Sequence, residues 1–193
     1  MKNLEFPENH GYRKVNLLFV MLQLDAGGSE RVVLDLVQHV DKRRFSVFVA
    51  TFSGGQLHEE FSRACTKLFF VRKGRGLDLA AMLRLGAIIR HYRIDVINPH
   101  HYSPFVYSYM GSKVLNNRSL VFTEHSVPEV TGLSVKHKLL CNALFFRTNA
   151  IVGVSDEICK AFEARFLRIQ KGWSPFPTAL ISIYSKHLLT EMR

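Results

Sequence analysis

Four short stretches of this 193-residue chain carry groups suited to hold a polar or anionic ligand. The first is Asp25-Ala26-Gly27-Gly28-Ser29-Glu30, where paired glycines precede what reads as a helix N-terminus. Uncovered backbone N–H groups at such a point can meet a phosphate or another anion. Ser29 is expected to cap the helix by accepting from the first turn, with Glu30 set against the positive helix end. Two glycines also serve a sharp turn and nothing more, and both readings stand. The stretch lacks the third glycine and the spacing of the dinucleotide fingerprint, so a nicotinamide enzyme is disfavoured and no cofactor is expected. The other stretches are Asn98-Pro99-His100-His101, Glu124-His125-Ser126 and Ser155. His125 can hydrogen-bond a ligand through one ring nitrogen while the protein holds the other, or it can be a structural histidine satisfied by a nearby carbonyl. His100, His101 and His125 with Glu124 match no zinc spacing, and adjacent histidines on an extended strand point to opposite sides, so no metal site is expected. No Ser-His-Asp or Cys-His arrangement is legible.

These groups need elements to hold them. Val15, Leu17, Leu18, Phe19, Val20 and Met21 are apolar on consecutive positions, as in a strand buried on both faces of a parallel sheet. After the glycines, Val32, Val33, Leu36, Val37 and Val40 recur with helical spacing. Phe45 to Phe52 reads as a second strand ended by Ser53-Gly54-Gly55, Leu57 to Ala64 as a short helix, and Lys67 to Val71 as a third strand. The remaining expectations are a helix over Leu77 to Tyr92, a short strand over Asp95 to His101, a helix over Pro104 to Val114 and a strand over Ser119 to Thr123. A helix over Val135 to Phe146, a strand over Ala150 to Val154 and a helix over Ser155 to Phe166, capped by Ser155, complete them. Alternation to about Phe166 predicts an α/β fold, a doubly wound parallel sheet with right-handed crossovers. Ligands bind beyond the carboxyl ends of such strands, so the four stretches share one rim.

Composition narrows the partners. With 47% hydrophobic and 22% charged residues the chain reads as one globular domain, and a net charge of +10 favours an anionic partner. Nucleic acid is disfavoured because the basic residues are scattered and no aromatic-basic platform is present. Arg72, Lys73, Arg75, Arg84, Arg90 and Arg93 form either a solvated face or one that rests on an anionic membrane. Cys65, Cys141 and Cys159 are far apart and without metal or redox spacing, and no signal or membrane-spanning run is seen. A cytoplasmic location is expected, and residues 1–12 read as a flexible arm.

Four motifs now carry a resemblance: Asp25-Ala26-Gly27-Gly28-Ser29-Glu30-Arg31, Asp95-Val96-Ile97-Asn98-Pro99-His100-His101, Thr123-Glu124-His125-Ser126 and Ile151-Val152-Gly153-Val154-Ser155-Asp156-Glu157-Ile158. In this order and spacing they resemble the N-terminal domain of a family-4 retaining glycosyltransferase, from about Arg13 to about Phe166. The resemblance implies a Rossmann-like domain that is one half of a GT-B fold, binding mainly the acceptor while a second domain binds a nucleotide sugar. It implies that Gly27 and Gly28 lie near the donor's diphosphate and sugar, and that His125 lies beside the transferred sugar as the catalytic candidate. Ser29, Asn98, His100, His101, Glu124 and Ser155 become candidates for substrate binding on the same rim. Metal is not implied, and the acceptor class is a glycolipid or polysaccharide at the inner face of a bacterial membrane. Nothing here resembles the family's donor-binding domain, so the chain alone is expected to be inactive. The alternative is a stand-alone acceptor- or partner-binding module.

The expected domain runs over residues 13–172. Beyond it, Trp173-Ser174-Pro175-Phe176-Pro177-Thr178 interrupts the place where a strand is due, and Ile181 to Leu189 is apolar without a clear partner. The codons of Trp173 to Ile181, read one base out of register, permit Val-Thr-Ile-Pro-Asn-Gly-Ile-Asp, which resembles the signature the family carries there. Residues 173–193 are therefore expected to be a frameshift product.

Overall fold

The computed structural model describes residues 13–114, 116–166 and 179–182. The arm at 1–12 and most of the tail lie outside the described residues. Strand β1 (Val15–Met21) leads to α1 (Gly28–His39), β2 (Phe45–Thr51), α2 (His58–Ala64), β3 (Lys67–Phe70) and α3 (Leu79–His91). Then come β4 (Val96–Pro99), α4 (Tyr102–Tyr109), a π-helical turn over Met110–Val114 and β5 (Ser119–Glu124). The order closes with α5 (Val127–Gly132), α6 (Val135–Phe145), β6 (Ala150–Gly153), α7 (Asp156–Arg165) and β7 (Ala179–Ser182).

The seven strands lie side by side in the order β3-β2-β1-β4-β5-β6-β7, and every pairing is parallel. This is the doubly wound, Rossmann-like sheet that the alternation predicts. The consecutive apolar run of β1 follows from its central place: Leu18 and Val20 enter one core, Phe19 and Met21 the other. Val47 and Val49 of β2 pack on the second core with Val33, Leu34 and Val37 of α1, while Phe48 and Ala50 face the first. That first core is aromatic toward β5 and β6, with Phe105 and Phe122 stacked at 4.4 Å and Phe145, Phe162 and Phe166 wedged beside them.

Three elements differ from the sequence reading. The single helix expected over Pro104 to Val114 is α4 followed by a π-helical turn. Helix α5 was not anticipated, although Ser126-Val127-Pro128-Glu129 carries its start: the Ser126 hydroxyl accepts from the Glu129 N–H, and proline stands in the first turn. The third correction concerns Ile181, expected to lack a partner. Its backbone lies in β7, which pairs with β6 in the register Ala150↔Ala179 to Gly153↔Ser182. An uncovered edge of β6 would leave its backbone groups unpaired, and a short β-prone segment answers that need. No helix among the described residues is long and apolar enough to cross a membrane.

Candidate functional site

The strand order reverses at β1, with β2 on one side and β4 on the other, and the carboxyl ends there are where a sheet of this kind receives a ligand. The loops after β1 and β4 flank this point, and the loop after β5 adjoins them.

On the β1 side the helix cap is Gly27 in extended conformation, with no side chain bonding the first turn. The expected role of Ser29 is corrected: it lies inside the helix, and its hydroxyl donates to Glu30 Oε2 at 2.8 Å. Glu30 is 6% exposed and folds back over the loop, so that a Cβ on Gly27 would lie 2.4 Å from Oε2. A side chain at position 27 would therefore have to displace the end of the glutamate. A Cβ on Gly28 meets nothing within 4 Å, which makes Gly28 the open point of this loop. The loop is propped from behind by the one after β2: Leu57 N–H donates to Leu24 O at 2.8 Å, and Gly55 comes so near that a Cβ would strike the Leu24 backbone.

On the other side, a proline in a central strand sets the pattern. His101 N–H donates to Thr123 O at 3.1 Å, so two residues earlier the same ladder position pairs Pro99 with Val121 O. Proline has no N–H to give. The side chain of Asn98 supplies the missing donor, its amide NH2 reaching Val121 O at 2.6 Å and Thr123 Oγ1 at 2.8 Å. Its Oδ1 meets His100 Nε2 at 3.2 Å, and His100 Nδ1 meets His125 Nε2 at 2.6 Å. His100 is wholly buried, so it stands behind His125 and not on the rim.

His101 takes the left-handed backbone region at φ 70°. That turn breaks the strand alternation, and the expectation that the two neighbouring histidines point apart is corrected: the His100 and His101 rings lie 5.0 and 5.2 Å from that of His125. His101 Nδ1 bonds Glu124 Oε1 at 3.1 Å and Glu129 Oε2 at 3.3 Å. Glu124 is 2% exposed, and the same oxygen accepts from the backbone N–H of His125 at 2.7 Å and of Ser126 at 3.2 Å. Burial alone would lower the pKa of His101, but the hydrogen bonds and charges of Glu124 and Glu129 outweigh it and raise it to about 10. Burial and then the His101 charge lower His125 to about 4, and burial carries His100 well below the ordinary range. His101 is therefore cationic at neutral pH, while His100 and His125 are neutral. His101, Glu124 and Glu129 also form a group that could hold a metal ion, but an ion would have to displace the proton that His101 gives the carboxylates.

Glu129 was missed by sequence reasoning because α5 was missed; the capping pattern at Ser126 is the signal that finds it. Ser155 caps α7, its Oγ accepting from Ile158 N–H at 3.3 Å. The structure thus brings His100, His101, Glu124 and His125 together at one strand end with Asn98 beneath, sets Gly28 on the neighbouring loop, and leaves Ser155 occupied by its helix.

The sequence model of Glycosyltransferase Family 4 matches residues 26–170. Among solved structures, Anabaena HepE in complex with UDP-glucose is 18% identical with a TM-score of 0.66, over 86% of this chain and 43% of its own. A glycosyltransferase from Rickettsia africae is 15% identical with a TM-score of 0.65, over 94% and 49%. The lipopolysaccharide outer core galactosyltransferase WaaB is 9% identical with a TM-score of 0.57, over 87% and 45%. The chain spans less than half the length of each of these structures. A comparison with curated protein sequences returns no significant match.

Proposed function

The chain belongs to Glycosyltransferase Family 4, and from that premise we propose that it is the acceptor-side half of a retaining glycosyltransferase of GT-B architecture. Its reaction passes a sugar from a nucleotide-sugar donor to a glycolipid or polysaccharide acceptor. The observation that carries this reading is that an open glycine loop after β1 and a neutral, half-buried His125 after β5 both stand at the carboxyl ends of the parallel sheet, on either side of the reversal of strand order. An uncharged imidazole suits a sugar hydroxyl, and bare helix-terminal N–H groups suit a diphosphate. Ser29, Asn98, His100, His101 and Glu124 then serve the site mainly by shaping it. The basic surface around Arg72, Lys73 and Arg75 would hold the domain on an anionic membrane where a lipid-linked acceptor lies.

These residues alone are not expected to turn over donor, because stabilisation of the leaving diphosphate is a large part of such catalysis and falls to the other half of the cleft. The test joins the chain to its donor-binding half and compares His125→Ala. Loss of one hydrogen bond to the reacting sugar predicts about a 10- to 100-fold fall in turnover with the fold intact. A variant that melts several degrees lower yet keeps its turnover per folded molecule makes His125 structural. Turnover by the 193-residue chain alone at ordinary enzyme rates overturns the half-site reading.

A second reading is a stand-alone acceptor- or partner-binding module. Sequencing the gene decides: a downstream frame that encodes Asn-Gly-x-Asp and a donor-binding domain supports a frameshift near Trp173, and its absence favours the module.

A further inference from the structure

The hydrogen bonds beneath His125 form a chain with only one consistent direction. Its fixed end is Val121 C=O, which can only accept. Asn98 must therefore turn its NH2 toward that carbonyl at 2.6 Å, since the opposite flip would face two oxygens at that distance. Thr123 Oγ1 at 2.8 Å accepts from the same NH2. This leaves Asn98 Oδ1 as the acceptor opposite His100 Nε2, so His100 carries its proton on Nε2. A buried, neutral imidazole has only one proton, and His100 Nδ1 is then an acceptor. The proton in the 2.6 Å contact between the two rings consequently belongs to His125 Nε2. His125 is itself neutral, so its Nδ1 is a lone pair, and among the described residues no hydrogen bond to that atom is found.

We propose that Asn98 and His100 are positioning residues that hold His125 with its proton on Nε2, so that Nδ1 meets the ligand as a bare hydrogen-bond acceptor and takes a sugar hydroxyl rather than a phosphate oxygen. A phosphate oxygen brought to Nδ1 would set two lone pairs against each other, whereas a hydroxyl donates into one. His101 supports the selection from the side: its cation is spent on Glu124 and Glu129, and it disfavours a second positive charge on His125. The distinctive part of the device is Pro99. By withholding an N–H from Val121 O, it leaves the carbonyl that orients Asn98 and, through it, both histidines.

The identity of the ligand rests on the glycosyltransferase reading; the direction of the proton chain does not. The test is therefore made on the 193-residue chain without substrate, by long-range proton–nitrogen NMR of the histidine rings in 15N-labelled protein near neutral pH. The expected result is a single neutral tautomer at both His100 and His125, each with its proton on Nε2. A proton on Nδ1 of His125, or a charged ring there, overturns the proposal. In Asn98→Leu the orienting acceptor is gone, and His125 should pass from one tautomer to a mixture; an unchanged single tautomer removes Asn98 from its role. Should that variant not fold, Asn98→Ala removes the same acceptor without placing a new group against Val121 C=O, and the same mixture of tautomers at His125 is expected; an unchanged single tautomer removes Asn98 from its role. If the tautomers are as expected while His125→Ala leaves turnover of the two-domain enzyme intact, the function reading falls and the relay stands.

Discussion

The two sides of the rim are built on opposite plans. After β1 the chain offers backbone: Gly28 faces open space, the cap carries no side-chain bond, and one carboxylate, Glu30, is folded beneath. After β4 and β5 it offers bonded side chains, His100 and Glu124 buried and Asn98 and His101 half-buried, which with the exposed Glu129 are tied around His125. The contrast separates two tasks. An open backbone can receive a ligand whose charge varies little in position, whereas a polar cluster out of water must satisfy its own groups before it can present one atom outward.

Removing the cation of the packed side should have the largest effect. His101→Ala leaves Glu124, 2% exposed, without its partner, and breaking a buried pair in this way costs about 3–5 kcal/mol. The midpoint of urea unfolding measures it. A cost under about 1 kcal/mol would mean that the backbone N–H groups of His125 and Ser126 suffice for the carboxylate.

The pH profile distinguishes the members of the cluster. His101 is raised from 6.5 to about 10, so its contribution to stability is fully present below pH 6.5 and is lost as pH rises toward 10. His125 is lowered from 6.5 to about 4, so its contribution is present above pH 6.5 and is lost as pH falls toward 4. Stability should peak near pH 6.5, and His101→Ala should flatten the alkaline limb. An alkaline limb unchanged in that variant would assign it to other groups.

The glycine side predicts smaller effects of opposite sign. Gly27→Ala pushes the Glu30 carboxylate from its place beside Ser29 and should cost about 1 kcal/mol. Gly28→Ala meets open space in the first helical turn and should be neutral or gain up to about 1 kcal/mol, while weakening donor binding in the two-domain enzyme. Equal melting temperatures for the two variants would erase the distinction between the glycines.

The weakest effect lies away from both sides of the rim. Leu77, Leu79 and Leu83 are exposed next to Arg72, Lys73 and Arg75, and Arg84 is partly engaged with Asp78 at 3.5 Å. Co-sedimentation with anionic vesicles should exceed that with neutral ones at low salt and fade as added salt shortens the screening length, about 8 Å at physiological ionic strength. Equal binding to both vesicle types would remove the membrane role.

Periodicity and punctuation alone determined most of the architecture. The unbroken apolar run of β1 told of burial on both faces, the stripe of Val33 and Val37 told of α1, and the alternation of the two patterns told of a parallel sheet with one rim. These are properties of neighbours in sequence. The composition of the rim was equally legible, since strand ends carry the residues that follow them. Tertiary structure decided which of those residues face a ligand. Ser29 and Ser155 read alike as polar groups before helices, yet one bonds a glutamate and the other caps its helix. His100 and His101 read as a diverging pair until a left-handed φ and a proline without an N–H turned both toward His125. The proton on His125 depends on a carbonyl of β5 reached through a side chain of β4, a partnership between residues 23 apart that no local pattern records. Hydrogen-bond direction is a property of the whole buried chain of donors and acceptors, and it exists only once the strands lie side by side.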